Sequence, residues 1–96
     1  MAEYTPKIEI LSQKEMLIFK PRGFWVAKTG IEAEPLCQDI LQKTLPHHLI
    51  FDLAALGGFD TVGVWLLQRT IHTLEQKGHC VEVQMEATFF LISLRE

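Results

Sequence analysis

From Lys7 to Gln13 the apolar residues Ile8 and Ile10 alternate with charged neighbours, the two-residue period of a strand with one wetted face. The polar Gln13-Lys14-Glu15 then turns the chain into Met16-Leu17-Ile18-Phe19, a second and more apolar strand, so the pair predicts a hairpin. Pro21-Arg22-Gly23 is expected to break that strand, with Phe24-Trp25-Val26 resuming an extended run before Thr29-Gly30. There the period changes. Leu36, Ile40, Leu41 and Leu45 stand at helical spacing, Pro35 fits the first turn of that helix, and Pro46 ends it. Leu49-Ile50-Phe51-Asp52-Leu53 is a short apolar run of the kind buried on both faces. Ala54 to Phe59, with Gly57-Gly58, reads as a loop. Asp60 is a good N-cap for a long helix over Thr61–Lys77, which Gly78 stops. His79 to Gln84 alternates again as a fourth strand, and Met85 to Glu96 is a last helix, apolar on all sides from Phe89 to Leu94. The order is β-β-α-β-α-β-α. A hairpin followed by βαβ units requires crossovers, which predicts an α/β fold with a mixed four-stranded sheet and covering helices.

Composition narrows what such a domain can do. Ninety-six residues make one domain, and 48% apolar against 22% charged residues exclude a disordered chain. A net charge of −3 argues against nucleic acid as a partner, because phosphate binding needs clustered positive charge. No segment approaches the roughly 20 apolar residues that span a bilayer, and Met1-Ala2-Glu3-Tyr4 lacks a secretory apolar core, so a cytoplasmic location is expected. Cys37 and Cys80 stand far apart, outside any CxxC pair, and are expected to be buried thiols. His47, His48, His72 and His79 fit no metal-binding spacing. No serine lies in a G-x-S-x-G elbow, and Gly57-Gly58 lacks the Lys-Ser/Thr of a phosphate loop. Asp52 and Asp60 bracket the loop, but strand-end and capping positions explain them without a cation. No enzyme activity, metal or cofactor is expected.

The long helix is more informative. At 100° per residue, Gly63, Leu67, Thr70, Ile71 and Leu74 form one stripe that must face the sheet. Thr61, Trp65, Gln68, Arg69, His72 and Gln76 lie opposite. A tryptophan on the polar side of an amphipathic helix either tucks against the domain's own surface or marks a contact site, where Trp and Arg are enriched. Thr61, in the first turn, either supports the cap or offers a hydroxyl to a partner or a kinase.

Phe51 to Gly63 (FDLAALGGFDTVG), a strand, an apolar-glycine loop and a turn opening a helix, resembles the STAS domains, the fold of sulfate transporters and anti-sigma-factor antagonists. The D-[ST]-[ST]-G turn of that family corresponds to Asp60-Thr61-Val62-Gly63. DTVGVWLL, Asp60 to Leu67, is similar to the run in STAS domains fused ahead of MlaE-type ABC lipid-transporter permeases, and Phe24-Trp25 after Arg22-Gly23 is similar to the stretch before their first helix. The resemblance covers residues 7–96. It implies a non-catalytic regulatory domain of a bacterial phospholipid-transport system of the Mla type, docking on the ATPase or permease at the inner face of the inner membrane. Thr61, Val62, Trp65 and Arg69 would then form the partner-facing surface. The alternative implied by the same family is an anti-sigma-factor-antagonist switch that binds an anti-sigma kinase. In those antagonists the second hydroxyl of the turn is phosphorylated; the residue here is Val62, while Thr61 keeps a hydroxyl. The apolar Phe89 and Phe90 imply either a chain continuing beyond this stretch or a homodimer.

Overall fold

The computed structural model describes residues 5–84. Strands β1 (Lys7–Gln13) and β2 (Met16–Trp25) form the expected hairpin, antiparallel with Ile10 opposite Phe19, and Lys14 takes the left-handed turn position at φ 55°. A 3-10 turn at Ala27–Thr29 leads into helix α1 (Gly30–Gln42), followed by β3 (His48–Asp52), β4 (Leu56–Phe59), α2 (Thr61–Gln76) and β5 (Cys80–Gln84). The sheet runs β1-β2-β3-β5, with β3 parallel to both neighbours and β4 parallel to β2. The mixed α/β architecture is the expected one. The helix expected over Met85 to Glu96, with Phe89 and Phe90, lies outside the described residues.

Several local expectations are corrected. Pro21-Arg22-Gly23 does not break β2, which runs through it for ten residues. Pro21 falls between the last residue paired with β3, Phe19, and the first paired with β4, Gly23, so no ladder on that side needs its missing amide. Gly23 adopts φ 81° at the register shift between β2 and β4, and a Cβ there would lie 2.3 Å from the Thr5 carbonyl oxygen. The supposed loop contains a fifth strand, β4. Its Gly57 and Gly58 leave room for the Phe24 ring, whose atoms would lie 3.0 and 2.9 Å from the missing Cβ positions. Pro35 is in the second turn of α1 because the helix starts earlier than expected, at Gly30; the lost bond to the Ile31 carbonyl lies on the exposed side of the helix, where the carbonyl is open to water. Because α1 ends at Gln42, Leu45 packs against the core from the connecting segment instead.

The core fills the space between one sheet face and the two helices. Phe19 and Phe51, on adjacent strands, stack tilted with centroids 5.0 Å apart, and Leu49, Leu67 and Leu74 close around them. Trp25 is fully buried, its indole N–H donating to the Arg22 carbonyl at 2.9 Å. The stripe read from α2 is the buried one, with Thr70 satisfied by donating to the Leu66 carbonyl at 2.8 Å. Cys37 is buried as expected, and burial pushes its thiol above its ordinary pKa. Cys80 is not: strand alternation sends Val81 and Val83 toward the core side and leaves Cys80 exposed beside His48.

Gly63 sets how closely α2 approaches the sheet. A Cβ at this position would lie 1.6 Å from the Trp25 carbonyl oxygen, a clash with backbone that no rotamer relieves. Gly63→Ala is expected to destabilise the fold by about 3 kcal/mol in urea denaturation. Gly30→Ala, whose methyl would meet only Val62 at 3.7 Å, should leave the midpoint unchanged or raise it.

Candidate functional site

Local chemistry at the start of α2 divides the turn Asp60-Thr61-Val62-Gly63 into an inward and an outward half. Asp60 is the N-cap, and one carboxylate oxygen accepts the amides of Val62 at 2.9 Å and Gly63 at 3.1 Å. The other oxygen accepts the Ala27 amide at 3.0 Å, just past β2. These backbone donors, Ala27 foremost and then Gly63, hold the Asp60 carboxyl below its ordinary value of 3.8. Gly63 is sealed against Trp25. Asp60 and Gly63 are therefore occupied with holding the helix in place.

Thr61, Val62 and Trp65 point the other way. Thr61 is exposed, and Val62 and Trp65 keep 38% and 53% of their surface in water, a large apolar exposure for side chains of this type. Trp65 therefore does not tuck under a loop. The Arg69 guanidinium lies 4.7 Å from the Trp65 ring centroid, a cation–π contact, and it also pairs with Glu34 of α1. Gln38 donates to the same Glu34 oxygen at 3.0 Å. Together the Gln38 and Arg69 bonds lower the Glu34 pKa. A chain of contacts from α1 through Arg69 thus fixes the face of the tryptophan, and Arg69 itself is half-buried in that clamp.

The fold adds one residue that the sequence reading passed over. Ile31 is 89% exposed and sits at the start of α1, beside Gly30, whose Cα faces Val62. It lies opposite the buried stripe of Ala33, Cys37 and Ile40. The signal was the one that marked Trp65, a large apolar side chain off the core stripe of its helix. Among the described residues, no group of three or more His, Cys, Asp or Glu side chains is placed to hold a metal ion. Asp52 accepts the Ala54 amide at 3.1 Å and lies 4.0 Å from Lys20.

The fold that carries this site has counterparts among solved structures. An anti-sigma factor antagonist from Mycobacterium paratuberculosis superposes with a TM-score of 0.69 at 20% identity, over 95% of this chain and 78% of that one. The anti-sigma factor antagonist SpoIIAA in its unphosphorylated form matches with a TM-score of 0.62 at 16% identity, over 92% and 80%. This chain has the STAS fold. Mglu contains a similar unit, with a TM-score of 0.68 at 18% identity, but this chain spans only 20% of its length. The sequence matches no protein-family profile and no curated protein.

In a STAS fold held this way, the pH dependence of the cap can be assigned a sign. The folded-state pKa of Asp60 is depressed, so its charge-dependent contribution is complete above 3.8 and disappears as pH falls through the folded value. Asp60→Asn is expected to be less stable than the parent at neutral pH, with the gap closing below pH 3.8; denaturation midpoints measured from pH 7 to pH 2.5 check this.

Proposed function

We propose that this chain is a non-catalytic STAS-fold interaction domain that docks a protein partner through the ridge of Thr61, Val62, Trp65 and Arg69. The carrying observation is the half-exposed Trp65, stacked against an Arg69 that Glu34 holds from the neighbouring helix. A large aromatic already fixed in place loses little freedom on binding, which is what a docking anchor requires. The exposed Ile31 and Val62 extend the apolar surface around it. Anti-sigma factor antagonists among the structural neighbours support a regulatory partner of the anti-sigma kinase class. Val62 has no oxygen to accept a phosphoryl group, so any phosphoryl control of this turn runs through Thr61.

A second reading is favoured by the run DTVGVWLL and its exposed tryptophan: docking on the ATPase or permease of an MlaE-type ABC lipid transporter, at the inner face of the inner membrane. Among the described residues no helix is long and apolar enough to cross a membrane, so in that reading the contact with the membrane is made by the partner.

Titration of the chain against an anti-sigma kinase and against a transporter ATPase from the same organism separates the two readings. For the true partner, Trp65→Ala should weaken binding about 30-fold, corresponding to about 2 kcal/mol, with the circular dichroism spectrum unchanged. If both partners bind and neither is affected, the assignment of the ridge is wrong. Incubation with ATP and the kinase provides an independent check by intact mass. A gain of about 80 Da is expected only if Thr61 is the acceptor, and Thr61→Val must then abolish it.

A further inference from the structure

The sheet face turned away from the helices carries chemistry that the docking ridge does not use. Strand alternation sets what that face holds. Leu17 and Phe19 of β2, Leu49 and Phe51 of β3, and Val81 and Val83 of β5 all pack with the core on the helix side. Their sequence neighbours Met16, His48 and Cys80, the first residues of the three strands, therefore project from the opposite face. The register brings these three together. Met16 pairs with His48 and His48 with Cys80, so a thioether, an imidazole and a thiol stand in one row with the histidine in the middle.

Reach and surroundings suit a shared ligand. Neighbouring strands lie about 4.8 Å apart and carry paired side chains side by side. Metal–sulfur and metal–nitrogen bonds of about 2.3 and 2.0 Å match that spacing, so an ion on the His48 ring meets a short cysteine on one flank. The long, flexible Met16 reaches it from the other. Cys80 is a free, exposed thiol, and its amide donates to the His47 carbonyl at 2.9 Å, which pins β5 to β3 at this row. The His47 ring stands edge-on to His48 with centroids 5.0 Å apart. The next row on the same face begins with the half-buried Ile18 and Ile50, an apolar wall along one side. Its third member, Glu82, accepts from the Gln84 amide at 3.0 Å, toward the far end of the strand. His48 and Cys80 alone would be too few ligands for an ion of the zinc type. A thioether as third donor changes the preference, because Cys and Met sulfurs select Cu(I).

We propose that Met16, His48 and Cys80 form a surface site for a soft monovalent cation, Cu(I), with the Cys80 thiolate as its principal ligand. On binding, the Cys80 thiol gives its proton to solvent and a sulfur–copper bond forms; the copper remains Cu(I), so no electron moves. Sequence spacing could not reveal the site, since its members come from three strands and meet only through the register. It also lies apart from the docking ridge. The ridge begins where β2 ends, at the Trp25 carbonyl that accepts the Asp60 amide, whereas the row lies where the strands start.

The test is anaerobic titration of the 96-residue chain with Cu(I) in competition with the coloured chelator bathocuproine disulfonate. One Cu(I) per monomeric chain is expected. Cys80→Ser should lower the affinity about 100-fold, and Met16→Leu and His48→Gln about 10-fold each, with urea midpoints close to the parent's. Met16→Leu should leave Zn(II) affinity unchanged, because zinc gains little from a thioether; an equal loss for both ions makes the effect structural and overturns the assignment. Failure to compete with the chelator, or binding that survives Cys80→Ser, also overturns it. So does an affinity indifferent to both Met16→Leu and His48→Gln, which leaves only a reactive thiol. One Cu(I) per two chains, with doubled mass in sedimentation, assigns the metal to Cys80 bridging two copies and overturns the intramolecular site. None of these outcomes touches the Trp65 binding titration, so the two ideas fall separately.

Discussion

The carboxylate of Asp60 is the joint on which the rest of the structure depends. It binds three backbone amides from two places in the chain, Val62 and Gly63 at the start of α2 and Ala27 just beyond β2. The first two satisfy orphan donors of the helix terminus, and the third ties that terminus to the sheet. Gly63 completes the joint, since its missing Cβ allows the helix backbone to rest on the Trp25 carbonyl. Position and direction of α2 are both set within four residues. Everything that follows along the helix, inward Leu67 and Leu74 or outward Trp65, inherits its orientation from that contact.

The inward half of the turn therefore explains the outward half. A helix free to roll would present a different edge to solvent, and the positions of Val62 and Trp65 would be poorly defined. Here rolling is opposed twice, by the Asp60 and Gly63 joint at the start of α2 and by the Arg69–Glu34 pair to α1. The second restraint is modest, because the pair is partly exposed and screened by solvent. Its effect is directional more than energetic: it places a guanidinium over one face of the indole.

Much of this was legible in the sequence, and the physical reasons differ from part to part. The caps of α2 could be read because they rest on local chemistry: an Asp whose acceptor reaches the next amides, and a Gly78 that closes the helix with bonds from Gly78 to Glu75 and from His79 to Leu74. The buried stripe could be read because helical periodicity is local too. What escaped depended on contacts far apart in sequence. Leu56–Phe59 resembles a loop until Phe24 is placed over its glycines, and Pro21 resembles a strand breaker until the gap between the β3 and β4 registers is known. Cys80 turned outward because the register of β5 against β3 decided which of its faces is covered. At the candidate site, Trp65 announced itself as an anomaly, whereas its pairing with Arg69 became specific only once Glu34 was seen to hold the guanidinium.

Departure from the usual STAS turn can be understood within the same geometry. The third residue of the turn, Val62, is 38% exposed, and its side chain faces the start of α1 near Gly30. A hydroxyl at this place would be hydrated, and a phosphoryl group would bring charge to the start of α1 near Gly30. Valine instead adds to the exposed apolar side chains Ile31 and Trp65 on the outward side of the two helices. In the proposed docking through this face, release cannot be driven from Val62, since nothing on its side chain can be charged or discharged. Control over binding would then have to act on Thr61, on the partner, or on how much of Trp65 is left uncovered.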